Sequence, residues 1–163
     1  MSTLAYLLLG SNLGDRAARL AQARHDLAAS AGRLVATSAL YQTAAWGLED
    51  QPAFLNQVLA VETELDAPAL LAACLAAEQQ QGRERLVRWA ARTLDVDILF
   101  FGQEVIATPR LTVPHPALPG RRFALVPLAE IAPQLLHPQL HRTSSQLLAD
   151  CPDMLAVRPW PTS

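Results

Sequence analysis

A chain of 163 residues, 51% of them hydrophobic, is long enough for one domain with its own core. Its net charge of −2 excludes the broad basic field of a non-specific nucleic-acid binder. All thirteen basic residues are arginine, which excludes a Walker-type phosphate loop, Schiff-base chemistry and a lysine general base. Any phosphate would have to be held by Arg, backbone amides and metal.

Residues 4–9 form a compact apolar run ended by Gly10, which predicts a strand. That run is too short for a signal peptide or a membrane span, and the two cysteines, Cys74 and Cys151, fit a reducing cytosol. A cytoplasmic location is therefore expected. Gly10-Ser11-Asn12-Leu13-Gly14-Asp15 reads as a turn with helix-capping residues. Over 16–31, Leu20, Ala23, Leu27 and Ala31 recur at helical spacing, and Gly32 closes the helix. Residues 34–43 predict a second strand and 44–53 a loop. Residues 54–65 alternate, with Leu55, Gln57, Leu59 and Val61 on one side and Asn56, Val58, Ala60 and Glu62 on the other, so they predict a third strand.

Asp66-Ala67-Pro68 opens a second helix, striped by Leu71, Cys74, Leu75 and Glu78 and ended by Gly82. An irregular stretch, 83–93, leads to a fourth strand at 94–101 and a short return at Glu104-Val105-Ile106. Residues 108–122 read as proline-rich loop and 123–130 as a short helix, with a poorly patterned remainder wrapping the domain. The order predicts an α+β, ferredoxin-like antiparallel sheet (a βαββαβ core) with helices on one face and a C-terminal extension, all in a single domain over 1–163.

Four constellations carry possible chemistry. In Asp95-Val96-Asp97 the two carboxylates share a strand face, about 6.5 Å apart at Cα, a spacing that suits hard cations and equally describes a solvated face. Just before them come Arg83, Arg85, Arg88 and Arg92, planar forks for phosphate oxygens or a solvated basic loop. Trp46, Trp89, Phe54 and Phe123 lie in or beside polar segments, where they sandwich a flat ring or pack onto the core. Finally, His115 sits between Pro114 and Pro116 near Arg110, Thr112 and Arg121. Asn56 can read a heterocycle edge through its amide, or close a turn. Glu78 continues an apolar stripe, facing the site or pairing with a loop arginine. These residues support two readings. One is an ATP- and Mg²⁺-using transferase acting on a flat heterocycle. The other is a ferredoxin-like small-ligand-binding regulatory module without catalysis. An RNA-binding version is disfavoured, because aspartates stand where a sheet reader needs aromatics.

At these residues the chain resembles the 6-hydroxymethyl-7,8-dihydropterin pyrophosphokinase family of folate biosynthesis. The matching pieces are Gly10-Ser11-Asn12-Leu13-Gly14, Asp50-Gln51-Pro52 with Phe54-Leu55-Asn56, the run from Arg88 through Arg92-Thr93-Leu94-Asp95-Val96-Asp97 to Leu99, and Leu111-Thr112-Val113-Pro114-His115. Phe123 and Glu130-Ile131-Ala132-Pro133 complete the set. The resemblance implies transfer of the β,γ-diphosphate of ATP to the pterin hydroxymethyl group, with release of AMP. It implies two Mg²⁺ ions on Asp95 and Asp97, with Arg83 and Arg92 on the phosphates as catalytic residues. ATP is expected at Glu78, Arg85, Trp89, Arg92, Ile98, Arg110, Thr112, His115 and Arg121. The pterin is expected between Phe54 and Phe123, its edge read by Thr43 and Asn56, with Ala44, Trp46 and Asp95 beside it. Loops 44–53 and 83–92 match loops that close over the substrates. Ala44-Ala45 and Ala90-Ala91 depart from the Pro-Pro and Gly-Pro often found in the family, a lysine that some relatives carry in the arginine-rich loop is missing, with Arg85 a candidate for its role, and Pro116 replaces an aromatic found in some members. The expected partners are ATP and the dihydropterin, with neither nucleic acid nor membrane, and a monomer.

Overall fold

The computed structural model describes residues 1–43, 53–81 and 94–161. Expectations that fall on 44–52, 82–93 and 162–163 lie outside the described residues. Strand β1 (Thr3–Ser11) is the apolar run met first in the sequence. It is buried on both faces because it runs antiparallel between two neighbours, β4 (Phe54–Thr63) and β5 (Asp95–Phe101). Such a strand must be apolar on both faces, which is why its sequence does not alternate.

Helix α1 (Arg16–Ser30) starts where Asp15 accepts the Ala18 N–H at 3.1 Å, and it buries Leu20, Ala23 and Leu27. The chain then turns at Gly32 (φ 154°), where a Cβ would lie 2.3 Å from the Glu62 carbonyl oxygen. The strand expected over 34–43 is two strands, β2 (Arg33–Thr37) and β3 (Tyr41–Thr43), placed end to end along the outer edge of β4. Ser38 divides them. Its hydroxyl accepts the Val58 N–H at 3.0 Å and donates to the Ala39 carbonyl at 2.7 Å, so a side chain takes a bond that a continuous ladder would make.

Helix α2 (Ala67–Gln80) is capped by Asp66, which accepts the Ala69 N–H at 2.9 Å, and it buries Leu70, Cys74 and Ala77. Strand β5 forms one edge of the sheet. Its register against β1 shifts between Tyr6 and Leu7, so Leu99 is a bulged residue. Ahead of the bulge, Val96 and Ile98 pack with α1 and α2, and Asp95 and Asp97 face the other way. Past it, Leu99 and Phe100 both enter the second core.

The expected proline-rich loop over 108–122 contains more order than predicted. Strand β6 (Ile106–Ala107) pairs with β7 (Thr112–Val113), and a 3₁₀ turn follows at Leu118–Gly120. Helix α3 (Arg122–Ile131), helix α4 (Ser144–Ala149) and strand β8 (Val157–Pro159) complete the chain. Thr143 and Gln146 form a reciprocal capping box on α4. The main sheet runs β5-β1-β4-β3-β8, with β2 also on β4. Helices on one face only are not what is found. Helices α1 and α2 cover Ala5, Leu7, Leu9, Leu59 and Val61 on one face, while α3 and α4 cover Tyr6, Leu8, Val58 and Ala60 on the other.

Candidate active site

On the α3 face, where β1 ends and β4 and β5 begin, a cleft of about 500 Å³ opens. Its floor is the ladder itself. Gly10 pairs with Asn56 on one side and Asp95 on the other. A Cβ on Gly10 would meet Asn56 Nδ2 at 2.7 Å, so a side chain there would push against the Asn56 amide.

Asn56 is 4% exposed and Thr43 3% exposed. Asn56 Nδ2 donates to the Leu9 carbonyl at 3.2 Å, whereas Asn56 Oδ1 and Thr43 Oγ1 have no hydrogen-bond partner among the described residues. An unmet buried polar atom costs about 1–3 kcal/mol, so two of them in a cleft point to a ligand that pairs with them. Thr43 is held beside Phe54 in the β3–β4 ladder. Phe123, in the first turn of α3, lines the same cleft, and the Arg121 guanidinium lies 5.7 Å from its ring centroid.

Asp95 and Asp97 line the cleft from β5, on the face that Leu8 and Gly10 share. Behind them, the Glu78 carboxylate, 4% exposed, accepts the Val96 N–H of this edge strand at 2.8 Å. Glu78 thus lies outside the cleft lining and holds the aspartate-bearing strand from its rear. Burial, with Glu78 and Asp97 nearby, pushes the Cys74 thiol up to about 12. The His115 N–H donates to the Leu99 carbonyl at 2.9 Å, and His115 Nδ1 accepts the Ala117 N–H at 3.2 Å, which leaves its proton on Nε2. Burial lowers the His115 pKa below its ordinary value, with Asp97 opposing the shift and Arg121 adding to it.

Seven residues named from the sequence therefore line one cleft: Thr43, Phe54, Asn56, Asp95, Asp97, Arg121 and Phe123. Ile98 points its side chain into the α1–α2 core, outside the cleft lining. Arg110 and Thr112 are exposed, at the β6–β7 hairpin, outside the lining. Ala44, Trp46, Arg83, Arg85, Trp89 and Arg92 lie outside the described residues. Sequence reasoning missed Gly10 as cleft floor, and also Ala117, Gly120, Asp153 and Leu155 in the walls. The signal for Gly10 was a glycine closing an apolar run. The tail residues carry no periodic signal.

Residues 6–133 match the sequence profile described as 7,8-dihydro-6-hydroxymethylpterin-pyrophosphokinase (HPPK). The chain belongs to the HPPK family. It is 50% identical over 135 residues to the 2-amino-4-hydroxy-6-hydroxymethyldihydropteridine pyrophosphokinase of Methylorubrum extorquens, covering 82% of this chain and 85% of that one. Identity to the protein of the same name from Pseudomonas aeruginosa is 46%, over 90% of this chain and 91% of the relative. Among solved structures, wild-type Plasmodium falciparum HPPK-DHPS with pterin and p-hydroxybenzoate is similar at a TM-score of 0.71 and 18% identity. That likeness covers 91% of this chain and 43% of the solved one, so the chain spans less than half of that longer protein, and what they share is the fold. Among the described residues, no group of three or more His, Cys, Asp or Glu side chains gathers as metal ligands. The pair Asp95 and Asp97 still fits Mg²⁺, which takes one or two carboxylates and fills its other positions with water and substrate phosphate. No helix of the described residues is long and apolar enough to cross a membrane.

Proposed function

We propose that this HPPK-family pyrophosphokinase of folate biosynthesis transfers the β,γ-diphosphate of ATP to the hydroxymethyl group of 6-hydroxymethyl-7,8-dihydropterin. The observation that carries the reading is the cleft, which gathers two same-face aspartates, two aromatic rings and two buried polar atoms without partners among the described residues. The family assignment disfavours a non-catalytic regulatory module.

The pterin ring is assigned to the space beside Phe54 and Phe123, with its polar edge on Thr43 Oγ1 and Asn56 Oδ1. Ala44, Trp46 and Asp95 complete its surroundings. Two Mg²⁺ ions are assigned to Asp95 and Asp97, where they would neutralise charge on the phosphate oxygens of ATP. Arg83 and Arg92 are assigned to the phosphates by resemblance. The remaining ATP contacts are assigned to Arg85, Trp89, Arg110, Thr112, His115, Arg121 and the Ile98 main chain, with Glu78 acting through β5.

In the reaction the pterin hydroxyl oxygen bonds to the β-phosphorus. The bond from that phosphorus to the bridging oxygen of AMP breaks, and the hydroxyl proton leaves to solvent. No protein nucleophile is required; positioning and charge stabilisation supply the rate. The β5-β1-β4 order, with β2 and β3 on the far side of β4, supports a ferredoxin-like reading. The chain is read as one domain, a cytoplasmic monomer.

The test is release of AMP from ATP and the dihydropterin. The Asp97→Ala protein is expected to keep its fold and lose at least about a hundredfold in turnover. Near-normal turnover at saturating Mg²⁺ would sink the aspartate assignment.

A further inference from the structure

The tail at 153–160 lies beyond the residues that the family profile matches. Three of its contacts nevertheless converge on the cleft. The first is Asp153. Helix α3 follows Arg121, whose side chain makes no capping bond. Asp153 supplies the missing acceptor: Oδ2 takes the Arg122 N–H at 3.2 Å, and Oδ1 takes the Leu155 N–H at 2.9 Å. An acid there also suits the positive end of the helix. The turn so held carries Phe123, and both Asp153 and Leu155 line the cleft with it.

The second contact is β8, whose Val157 pairs with Thr43 on the edge opposite Phe54. The third is Trp160. Its main-chain N–H donates to the Leu40 carbonyl at 2.8 Å, and the Arg16 guanidinium lies 4.9 Å from its ring centroid. Arg16 Nη1 in turn donates at 2.6 Å to the carbonyl of Ala53, the residue before Phe54.

We propose that residues 153–160 brace the heterocycle end of the cleft, with Asp153 a positioning residue for Phe123 and Trp160, through Arg16, a positioning residue for Phe54. The inference rests on the assignment of the pterin to Phe54, Phe123, Thr43 and Asn56. The brace meets the walls assigned to the pterin and leaves the aspartates alone, so its loss has a selective signature. Binding of the dihydropterin weakens while that of ATP holds.

The experiment compares full-length wild type with Asp153→Ala, Asp153→Asn, Trp160→Ala, Trp160→Phe and, as reference, Asn56→Ala. KM for each substrate, kcat and Tm are measured. Loss of a helix cap predicts a rise in the dihydropterin KM of about fivefold for Asp153→Ala, with the ATP KM changed less than about twofold. Asp153→Asn, whose amide oxygen still accepts from Arg122, restores most of it. Trp160→Ala moves the same constant and Trp160→Phe, which keeps a ring for Arg16, restores it. Should Asp153→Ala not fold, the Trp160 pair reads the same effect. A lowered Tm with both KM values unchanged makes the tail structural only and overturns the proposal, as does an equal rise in both. If Asn56→Ala raises the dihydropterin KM and the tail variants do not, the brace fails while the cleft assignment stands. If Asn56→Ala also leaves it unchanged, the cleft assignment fails and the brace with it.

Discussion

Gly10 pairs with Asn56 and Asp95 in the ladder, and a Cβ on it would lie 2.7 Å from Asn56 Nδ2. Its φ is not among the positive values, so the requirement is for room and not for an unusual backbone. Gly10→Ala should therefore fold. Its methyl group would displace the Asn56 amide, which the proposed pterin edge needs, and dihydropterin affinity should fall about tenfold, the worth of one well-made hydrogen bond. Titration of the binary complex measures it; unchanged affinity would remove Asn56 from the site. Cys74 gives a second residue-scale expectation. Its thiol, fully buried and pushed up to about 12, holds no thiolate at pH 8, whereas Cys151 is half-buried. Iodoacetamide should label Cys151 alone in the native protein and both cysteines once it is unfolded, counted by mass.

At the scale of elements, the seam between α3 and the β2–β3 link is held by one carboxylate. Glu130 accepts the Ala39 N–H, at 3.0 Å to Oε2, and a short bond from the Tyr41 hydroxyl. Burial, then the bond to Glu130, then its charge push the Tyr41 phenol up to about 12. A raised pKa means that the folded state holds its proton more tightly. The stability this contributes is complete below the ordinary value of 10.0 and is lost as pH rises from there to about 12. Tyr41→Phe should flatten the fall of Tm over that window; an unaltered slope would remove Tyr41 as its cause. This seam was not legible in the sequence, because it depends on Ser38 interrupting a run of strand-forming residues. The uninterrupted patterns were legible. Leu20, Ala23 and Leu27 at helical spacing gave α1, and the alternation through Asn56, Val58 and Ala60 gave β4. Asp95 and Asp97 could be placed on one face from their spacing alone. The bulge at Leu99, the pairing of β8 with β3 and the reach of Asp153 to Arg122 depend on partners far along the chain. Local pattern carries no record of those partners.

Over the whole molecule, a sheet covered on both faces divides the labour. The α1–α2 face is a continuous core from Ala5 to Val113, while the α3 face is packed at one end and open at the other. Cys74 lies inside the first core, so its labelling requires that core to open. In graded urea its alkylation rate should track the global unfolding free energy, with a slope equal to that from circular dichroism. A shallower slope would mean that α2 opens by itself.

The central place of β1 has a consequence for the newly made chain. Its residues 4–9 are synthesised before both of its ladder neighbours, β4 and β5, which come much later in the chain. Until then Leu4-Ala5-Tyr6-Leu7-Leu8-Leu9 is an uncharged apolar segment without proline or glycine, with both edges bare. Contacts so distant in sequence also form slowly. Refolding yield from denaturant should fall steeply as protein concentration rises, and a charge in place of Leu4, the one residue of the run that is more than a third exposed, should recover it at little cost to Tm. The strand that anchors the finished sheet is thus the part of the chain most in need of protection while the rest is being built.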